Sequence, residues 1–342
     1  MQALVLAGGE GTRLRPLTLT VPKPVMPLAG RPFLTFMLDW LARNGVTEAI
    51  LSCGYRSDAV KAVLGDIRDG MRLRYVVEDE PLGTAGPVRL AADEGLLADR
   101  LLVLNGDTLT DLDLTAEVAQ HERTGAEATL ALVAVDDTSS YGVVPTGPDG
   151  RVEKFLEKTD SPPTNRINAG AYAIERSVVE RIEPGRAVSF EREVFPAMAE
   201  ERTLYGYAAE GYWIDIGTPE RYLEATHDLL SRRVECTLPP SDETGSLVYP
   251  GSITSGAHIG PLTVVGPHCA VGYGSTIERS VLHESVRVGA DAAVDSAVLA
   301  EGARVGDGAR VEQGAIVGAG ATVEPGARVE AHARIQPGES VG

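Results

Sequence analysis

From Ile259 to the end of the chain, one aliphatic position returns every six residues. It appears first as Ile259, Val265, Val271 and Ile277, and later as Val305, Val311, Val317, Val323, Val329, Ile335 and Val341. Gly260, Gly266, Gly272, Gly289, Gly306 and Gly318 directly follow six of the aliphatic positions. Two related stretches interrupt the run, ERSVLHESVRVG (278–289) and DSAVLAEGARVG (295–306). A hexapeptide period with one aliphatic per repeat predicts a parallel β-helix. The aliphatics stack inside, and glycine and small residues turn the corners. At roughly 18 residues per three-sided coil the segment makes about five coils. A flexible Gly/Ala/Val tail would not hold such a register.

Up to about residue 235 the pattern is different, with strand-like and helix-like segments alternating. Leu4–Leu6, Ala49–Cys53, Leu73–Glu78 and Leu101–Leu104 read as strands. Helices are predicted over Pro32–Asn44, Asp58–Leu64 and Ala85–Leu96, with Pro32 in a first turn and Gly45 as a C-cap. Strands this apolar are buried on both faces, as in a parallel sheet sandwiched by helices. Ligands of such sheets bind outside the carboxyl ends of the strands. A glycine loop after Leu4–Leu6 and Asp107 after Leu101–Leu104 both fall at such ends, which predicts one shared crevice.

That loop carries the most chemistry. Residues 4–24 read LVLAGGEGTRLRPLTLTVPKP. Gly8, Gly9 and Gly11 let backbone N–H groups converge on a bound group, and such a nest favours phosphate oxygens. Arg13 and Lys23 add fixed positive charge. The pattern is neither the dinucleotide fingerprint nor a Walker P-loop, since no G-x-G-x-x-G or Gly-Lys-Ser/Thr is present here. Prolines at 16, 22, 24 and 27 argue against helix, and Leu14, Leu17, Leu19 and Val21 argue against disorder. A long ordered loop of this kind is functional.

Composition sets bounds. With 342 residues, 43% hydrophobic and 23% charged, the chain can bury two cores. The expected division is 1–235, a linker over 236–246, and the β-helix over 247–342. A net charge of −18 excludes nucleic acid as a partner. Cys53, Cys236 and Cys269 form no metal or disulfide pattern, which suits a reducing cytoplasm. No stretch approaches the roughly 20 apolar residues of a membrane span, and the start MQALVLAGG lacks the features of a signal peptide. A cytoplasmic protein with no membrane partner is expected.

Taken together, G-G-x-G-T-R-L-x-P-L-T-x-x-x-P-K-P resembles the sugar-1-phosphate nucleotidylyltransferases. The repeats resemble the left-handed hexapeptide helices attached to several of them. The resemblance implies an α/β fold: a Rossmann-like, GT-A-like nucleotidyltransferase domain followed by a left-handed parallel β-helix. It implies that Ala7, Gly8, Gly9, Gly11, Thr12 and Arg13 bind a nucleoside triphosphate, with Arg13 and Lys23 stabilising charge in the transition state. Asp107 and Asp215, the latter in W-x-D-I-G, are implied as ligands of Mg²⁺, and Asp107 is also counted as catalytic. For the sugar 1-phosphate the implied residues are Gly142 in Tyr141-Gly142-Val143-Val144, Glu157 and Lys158, and Asn168 and Gly170. The family's F-x-E-K-P lacks its proline here, where Thr159 follows Lys158.

Glu78, Pro81, Gly83 and Thr84 match the family's base-reading loop. Thymidine- and uridine-using members often place glutamine where Glu78 falls, because an amide both donates and accepts. A carboxylate only accepts, which suits the two adjacent donors of guanine. GTP with mannose 1-phosphate is therefore the favoured pair, and glucose 1-phosphate with dTTP or UTP is the alternative. A non-catalytic regulatory subunit would show erosion at the phosphate and metal positions, and Arg13, Lys23, Asp107 and Asp215 are all present. A hexapeptide acyltransferase fits less well, with about five coils and no obvious acceptor site. A homo-oligomer is expected, because open end coils of a β-helix need covering.

Overall fold

The structure is a computed structural model that describes residues 1–54, 56–157 and 161–342, with Glu157 described for its backbone alone. The chain forms two compact units. One comprises Met1–Gly9 and Met37–Trp213, and the other Glu10–Phe36 and Ile214–Gly342.

The first unit is built on a twisted sheet. Gln2–Leu6 lies between Arg100–Asn105 and Glu48–Cys53, and Met71–Val77 pairs the far side of Glu48–Cys53, all parallel. Arg166–Glu175 then joins Arg100–Asn105 antiparallel and carries Ala128–Ala134 on its other side. The predicted strands and helices are present, with ends shifted by one to three residues: helices run over Ser57–Leu64 and Gly86–Asp93. Leu4, Ile50, Val103, Leu130, Tyr172 and Ile174 share one buried core. That continuous burial explains why the strands read as unbroken apolar runs.

One boundary differs in kind. Pro32 does not open a helix. It pairs with Pro27 in a short hairpin, and the helix starts at Leu34. Gly45 does cap it, with φ of 77° and its N–H donating to Ala42 O at 3.0 Å.

In the second unit the hexapeptides form the predicted parallel β-helix. Three parallel sheets of six, five and five strands make its sides. Successive strands of one sheet pair Leu247 with Val264, Val264 with Val281 and Val281 with Val298, a step of 17 residues. Val298 then pairs with Ile316, and Ile316 with Arg334, a step of 18. Shortened sides account for the change. Left-handed corners recur at six-residue intervals except from Gly251 to Gly256, from Gly274 to Arg279 and from Asp291 to Ser296, where a side is one residue shorter; the last two fall at the edges of the sequence interruptions.

The glycines behind the aliphatics do not turn these corners. They allow close approach of coils instead: a Cβ on Gly266 would sit 2.8 Å from Leu282 O, and one on Gly318 2.7 Å from Ile335 O. The left-handed position falls elsewhere in the repeat, and His268, Ser285, Asp291 and His332 occupy it as well as glycine. Among the described residues no helix is long and apolar enough to cross a membrane.

Candidate active site

The carboxyl ends of the central strands bring several sequence-predicted residues of the first unit together. Ala7 leaves its strand with its N–H on Ser52 O at 2.8 Å. Gly8 follows where space is scarce: a Cβ there would lie 2.7 Å from Glu78 Oε1. At Gly9 a Cβ would meet nothing within 4 Å, so this backbone is open to a ligand. Glu78 is held from both ends, since Ser52 Oγ donates to Oε1 at 2.7 Å and Leu82 N–H donates to Oε2 at 3.0 Å. Each carboxylate oxygen has about two acceptor positions, so both retain one.

Next door, Gly106 lets two strand ends converge, with its N–H on Leu6 O at 2.9 Å and a would-be Cβ 2.6 Å from the same oxygen. Asp107 follows at once. Asn105 packs against Gly170, whose φ is 72° and whose Cβ would lie 2.5 Å from Asn105 Nδ2. The strand Arg166–Glu175 bulges here between Asn168 and Tyr172. Asn168 shapes the bulge: its Oδ1 accepts from Gly170 N–H at 3.0 Å, and its Nδ2 donates to Tyr172 Oη at 2.9 Å. Trp213 braces the same bulge, its Nε1 donating to Ala169 O at 2.8 Å, with Tyr141 edge-on to its ring. Gly142 pairs with Glu157 across a two-residue ladder. Lys158 and Thr159 lie outside the described residues, as does the side chain of Glu157.

The sequence reading missed the residue that ties these pieces together. Glu191 accepts from Thr84 Oγ1 at 2.6 Å, from Ser189 Oγ at 2.7 Å and from Tyr172 Oη at 3.2 Å. One carboxylate thus links the loop containing Pro81, Gly83 and Thr84 to the strand bearing Asn168. Gly83 is needed for that contact, since its φ is 77° and a Cβ would lie 2.5 Å from Val188 O. Burial pushes the Tyr172 hydroxyl well above the ordinary tyrosine range, and the charges of Glu191 and Asp107 push the same way. Tyr172 therefore stays a neutral donor. The local signal for Glu191 was only Ser189 as the N-cap of the turn Phe190–Val194, accepting from Arg192 N–H.

The remaining predicted residues belong to the second unit. Gly11 adopts φ of 63° and opens the short turn Thr12–Leu14. Its carbonyl accepts from Leu14 N–H at 3.0 Å and from Thr18 Oγ1 at 2.8 Å. A Cβ on Gly11 would lie 3.3 Å from Lys23 Cβ, so the lysine stem packs along this glycine. Lys23 is buried to 8% exposure at the head of a second turn, Lys23–Val25. Arg13 and Asp215 approach one point from two directions: a Cβ on Gly217 would lie 2.8 Å from Arg13 Nη2 and 2.8 Å from Asp215 Oδ2. The glycine of W-x-D-I-G thus keeps room for a guanidinium and a carboxylate side by side.

Among the described residues no three or more His, Cys, Asp or Glu side chains converge into a metal cage. Asp107 and Asp215, taken each in its own unit, are single carboxylates, the donor type that a hard cation takes one or two of when water and phosphate complete its shell.

The chain is similar to known proteins along most of its length. The family model described as nucleotidyl transferase matches residues 2–232, and one described as the GMPPB C-terminal domain matches 248–341. The mannose-1-phosphate guanylyltransferase of Mycobacterium tuberculosis is 42% identical over 299 residues, covering 86% of this chain and 83% of that protein. The mannose-1-phosphate guanyltransferase of Emericella nidulans is 37% identical over 334 residues, covering 91% and 89%. A crystal structure of HddC from Yersinia pseudotuberculosis complexed with GMP-PN is 31% identical, with a TM-score of 0.57, and aligns over 66% of this chain and 97% of that one. Enzymes of this family generally use a divalent metal. By its sheet and by its match over most of the catalytic fold, the chain belongs to the nucleotidyl transferase family of enzymes.

Proposed function

We propose that the protein transfers the guanylyl group of GTP to α-D-mannose 1-phosphate, yielding GDP-mannose and pyrophosphate. The observation that carries this reading is the run of relatives named for that activity, which match this chain through both the sheet and the repeats at 36–42% identity. Glu78 supports the base. Its two oxygens keep acceptor capacity after binding Ser52 and Leu82, and guanine offers two adjacent donors where a pyrimidine offers a mixed edge. No observation favours the pairing of dTTP or UTP with glucose 1-phosphate, nor a non-catalytic subunit.

In this reading a phosphate oxygen of the sugar phosphate attacks the α-phosphorus and forms the new P–O bond. The bond from the α-phosphorus to the bridging oxygen breaks, and pyrophosphate leaves with the electron pair. Positioning and charge neutralisation do most of the work. Ala7, Gly8, Gly9, Gly11 and Thr12 would line the phosphates, with Arg13 and Lys23 neutralising charge that develops on them. Asn168, Gly170 and Gly142 would hold the sugar, together with Glu157 and Lys158. Asp107 and Asp215 would hold Mg²⁺, which when bound neutralises phosphate oxygens and aligns them. The catalytic domain is proposed over 1–235, the linker over 236–246 and the β-helix over 247–342, with self-association through the β-helix and a cytoplasmic location.

The reverse reaction tests the assignment. Purified protein given GDP-mannose and pyrophosphate should return GTP and mannose 1-phosphate, and Glu78→Gln should lose preference for the guanine nucleotide. Phosphorolysis of dTDP-glucose in place of GDP-mannose would overturn it.

A further inference from the structure

The phosphate-binding loop does not end at Lys23. Four residues on, the chain makes a hairpin in which Pro27 pairs with Pro32 and Leu28 with Arg31. Its two turn residues, Ala29 and Gly30, have φ of 44° and 79°, the pattern of a tight two-residue hairpin. Leu28 and Ala29 are fully buried, so the tip is packed rather than loose.

What packs against it comes from the helix Pro219–Leu230 and from the repeat region. Tyr222 Oη donates to Pro27 O at 2.5 Å, and Tyr249 Oη donates to Ala29 O at 2.7 Å. The ring of Tyr249 fills the place a side chain at Gly30 would take. From the hairpin, Arg31 Nη1 donates to Thr237 O at 2.6 Å. Behind Tyr222 stands His283, on a coil of the β-helix, with Nε2 3.0 Å from the tyrosine oxygen. Tyr222 has one hydroxyl proton, and a carbonyl can only accept, so that proton lies on Pro27 O. His283 must then carry its proton on Nε2 and donate to Tyr222 Oη. Burial of His283 favours the neutral ring, here as the tautomer with its proton on Nε2.

The clamp is stiffly connected to the chemistry. Between Lys23 and Pro27 lie Pro24, Val25 and Met26, closed into a turn by Met26 N–H on Lys23 O at 3.2 Å. Phe33 N–H returns to Met26 O at 2.9 Å. Prolines at 22, 24 and 27 remove φ freedom from the same segment. A displacement of the hairpin therefore becomes a displacement of Lys23.

We propose that the β-helix unit is a positioning platform for the triphosphate loop, with Tyr222 backed by His283, and Tyr249, fixing the Pro27–Pro32 hairpin and through it Lys23. These are positioning residues that touch no substrate. The proposal rests on the reading of residues 8–23 as the triphosphate site.

The test uses the full-length protein and GTP itself. Tyr222→Phe and Tyr249→Phe should each lower kcat/KM for GTP by about tenfold, the scale of a small misplacement of reacting groups. They should weaken GTP binding in calorimetry and leave KM for mannose 1-phosphate unchanged. Amide exchange should rise at Met26 and Phe33. His283→Leu should behave like Tyr222→Phe, whereas His283→Gln, which keeps an N–H donor, should retain parental kinetics. Parental GTP kinetics in both tyrosine variants, with a lowered melting temperature alone, would overturn the platform. Should Tyr222→Phe fail to fold, Tyr249→Phe decides by the same criteria. Lys23→Ala separates the two readings: if it leaves GTP binding intact, the loop assignment and the platform both fall. If it weakens binding while the tyrosine variants do not, the platform alone falls.

Discussion

The two units reach order by different means. In the β-helix unit every coil repeats the one before, so each aliphatic packs on its own equivalents at 17 or 18 residues' distance. In the sheet unit the contacts that define the site join segments far apart in sequence, as when Thr84, Tyr172 and Ser189 converge on Glu191. A repeated contact writes a period into the chain, whereas a unique contact writes nothing locally. The loop bearing Arg13 and Lys23 sits between these cases. In sequence it follows the first strand of the sheet, yet it packs as part of the unit that holds the β-helix.

Breaking the chemistry on either side of that comparison should have the largest effects. Asp107→Asn in the sheet unit and Asp215→Asn in the other should each cost about 100-fold or more in kcat, the range for removing a preorganised electrostatic group. Thermal melts should be nearly unchanged; comparable unfolding would make the carboxylates structural. Lys23→Ala should cost turnover more than stability, although its buried stem also packs along Gly11.

Core truncation compares how the units unfold. Leu130→Ala in the sheet and Leu299→Ala in the coils, both fully buried, should each cost about 2–5 kcal/mol. The sheet variant should lose its unit in one cooperative step. The coil variant should fray locally, because each coil contacts chiefly its neighbours. Denaturant melts followed by amide exchange in each unit would separate the two behaviours.

The smallest effects are pH-dependent and have opposite signs. Burial pulls His283 from the ordinary 6.5 down to about 4. The unfolded chain therefore takes up a proton between about pH 6.5 and 4 that the folded chain refuses, and stability falls as pH drops through this window. His121 and His227, also lowered by burial, contribute in the same direction. His283→Gln should flatten part of that decline. In the sheet unit Glu117 is wholly buried, and burial holds its pKa well above the usual carboxylate range against the opposing pull of the Ala173 and Ala131 backbone. It keeps its proton when folded and loses it when unfolded, so its contribution to stability shrinks as pH rises above about 4.5, the ordinary glutamate value. Glu117→Gln should raise the melting temperature by about 2–4 °C at pH 8 and leave it unchanged at pH 4.

These contrasts explain what the sequence alone could and could not tell. The hexapeptide period gave the β-helix and its coil count, and the apolar runs gave the parallel strands. In the glycine loop Gly8 and Gly11 are legible because crowding at one and a left-handed φ at the other require glycine locally, whereas Gly9 has open space around it. Pro32 was misread because a proline before an apolar stretch suits a helix start and a hairpin edge alike. The choice was made by Tyr222 and Tyr249, nearly 200 residues or more away. Glu191 was invisible for the same reason: a charged residue in a polar turn looks solvated until its three hydroxyl donors are in place.

The central claim is tested most directly by kcat/KM for each of GTP, ATP, UTP and dTTP against mannose 1-phosphate and glucose 1-phosphate, measured as pyrophosphate release. The account predicts that GTP with mannose 1-phosphate exceeds every other pair by at least tenfold. A maximum at dTTP or UTP with glucose 1-phosphate, or no release with any pair, would contradict it.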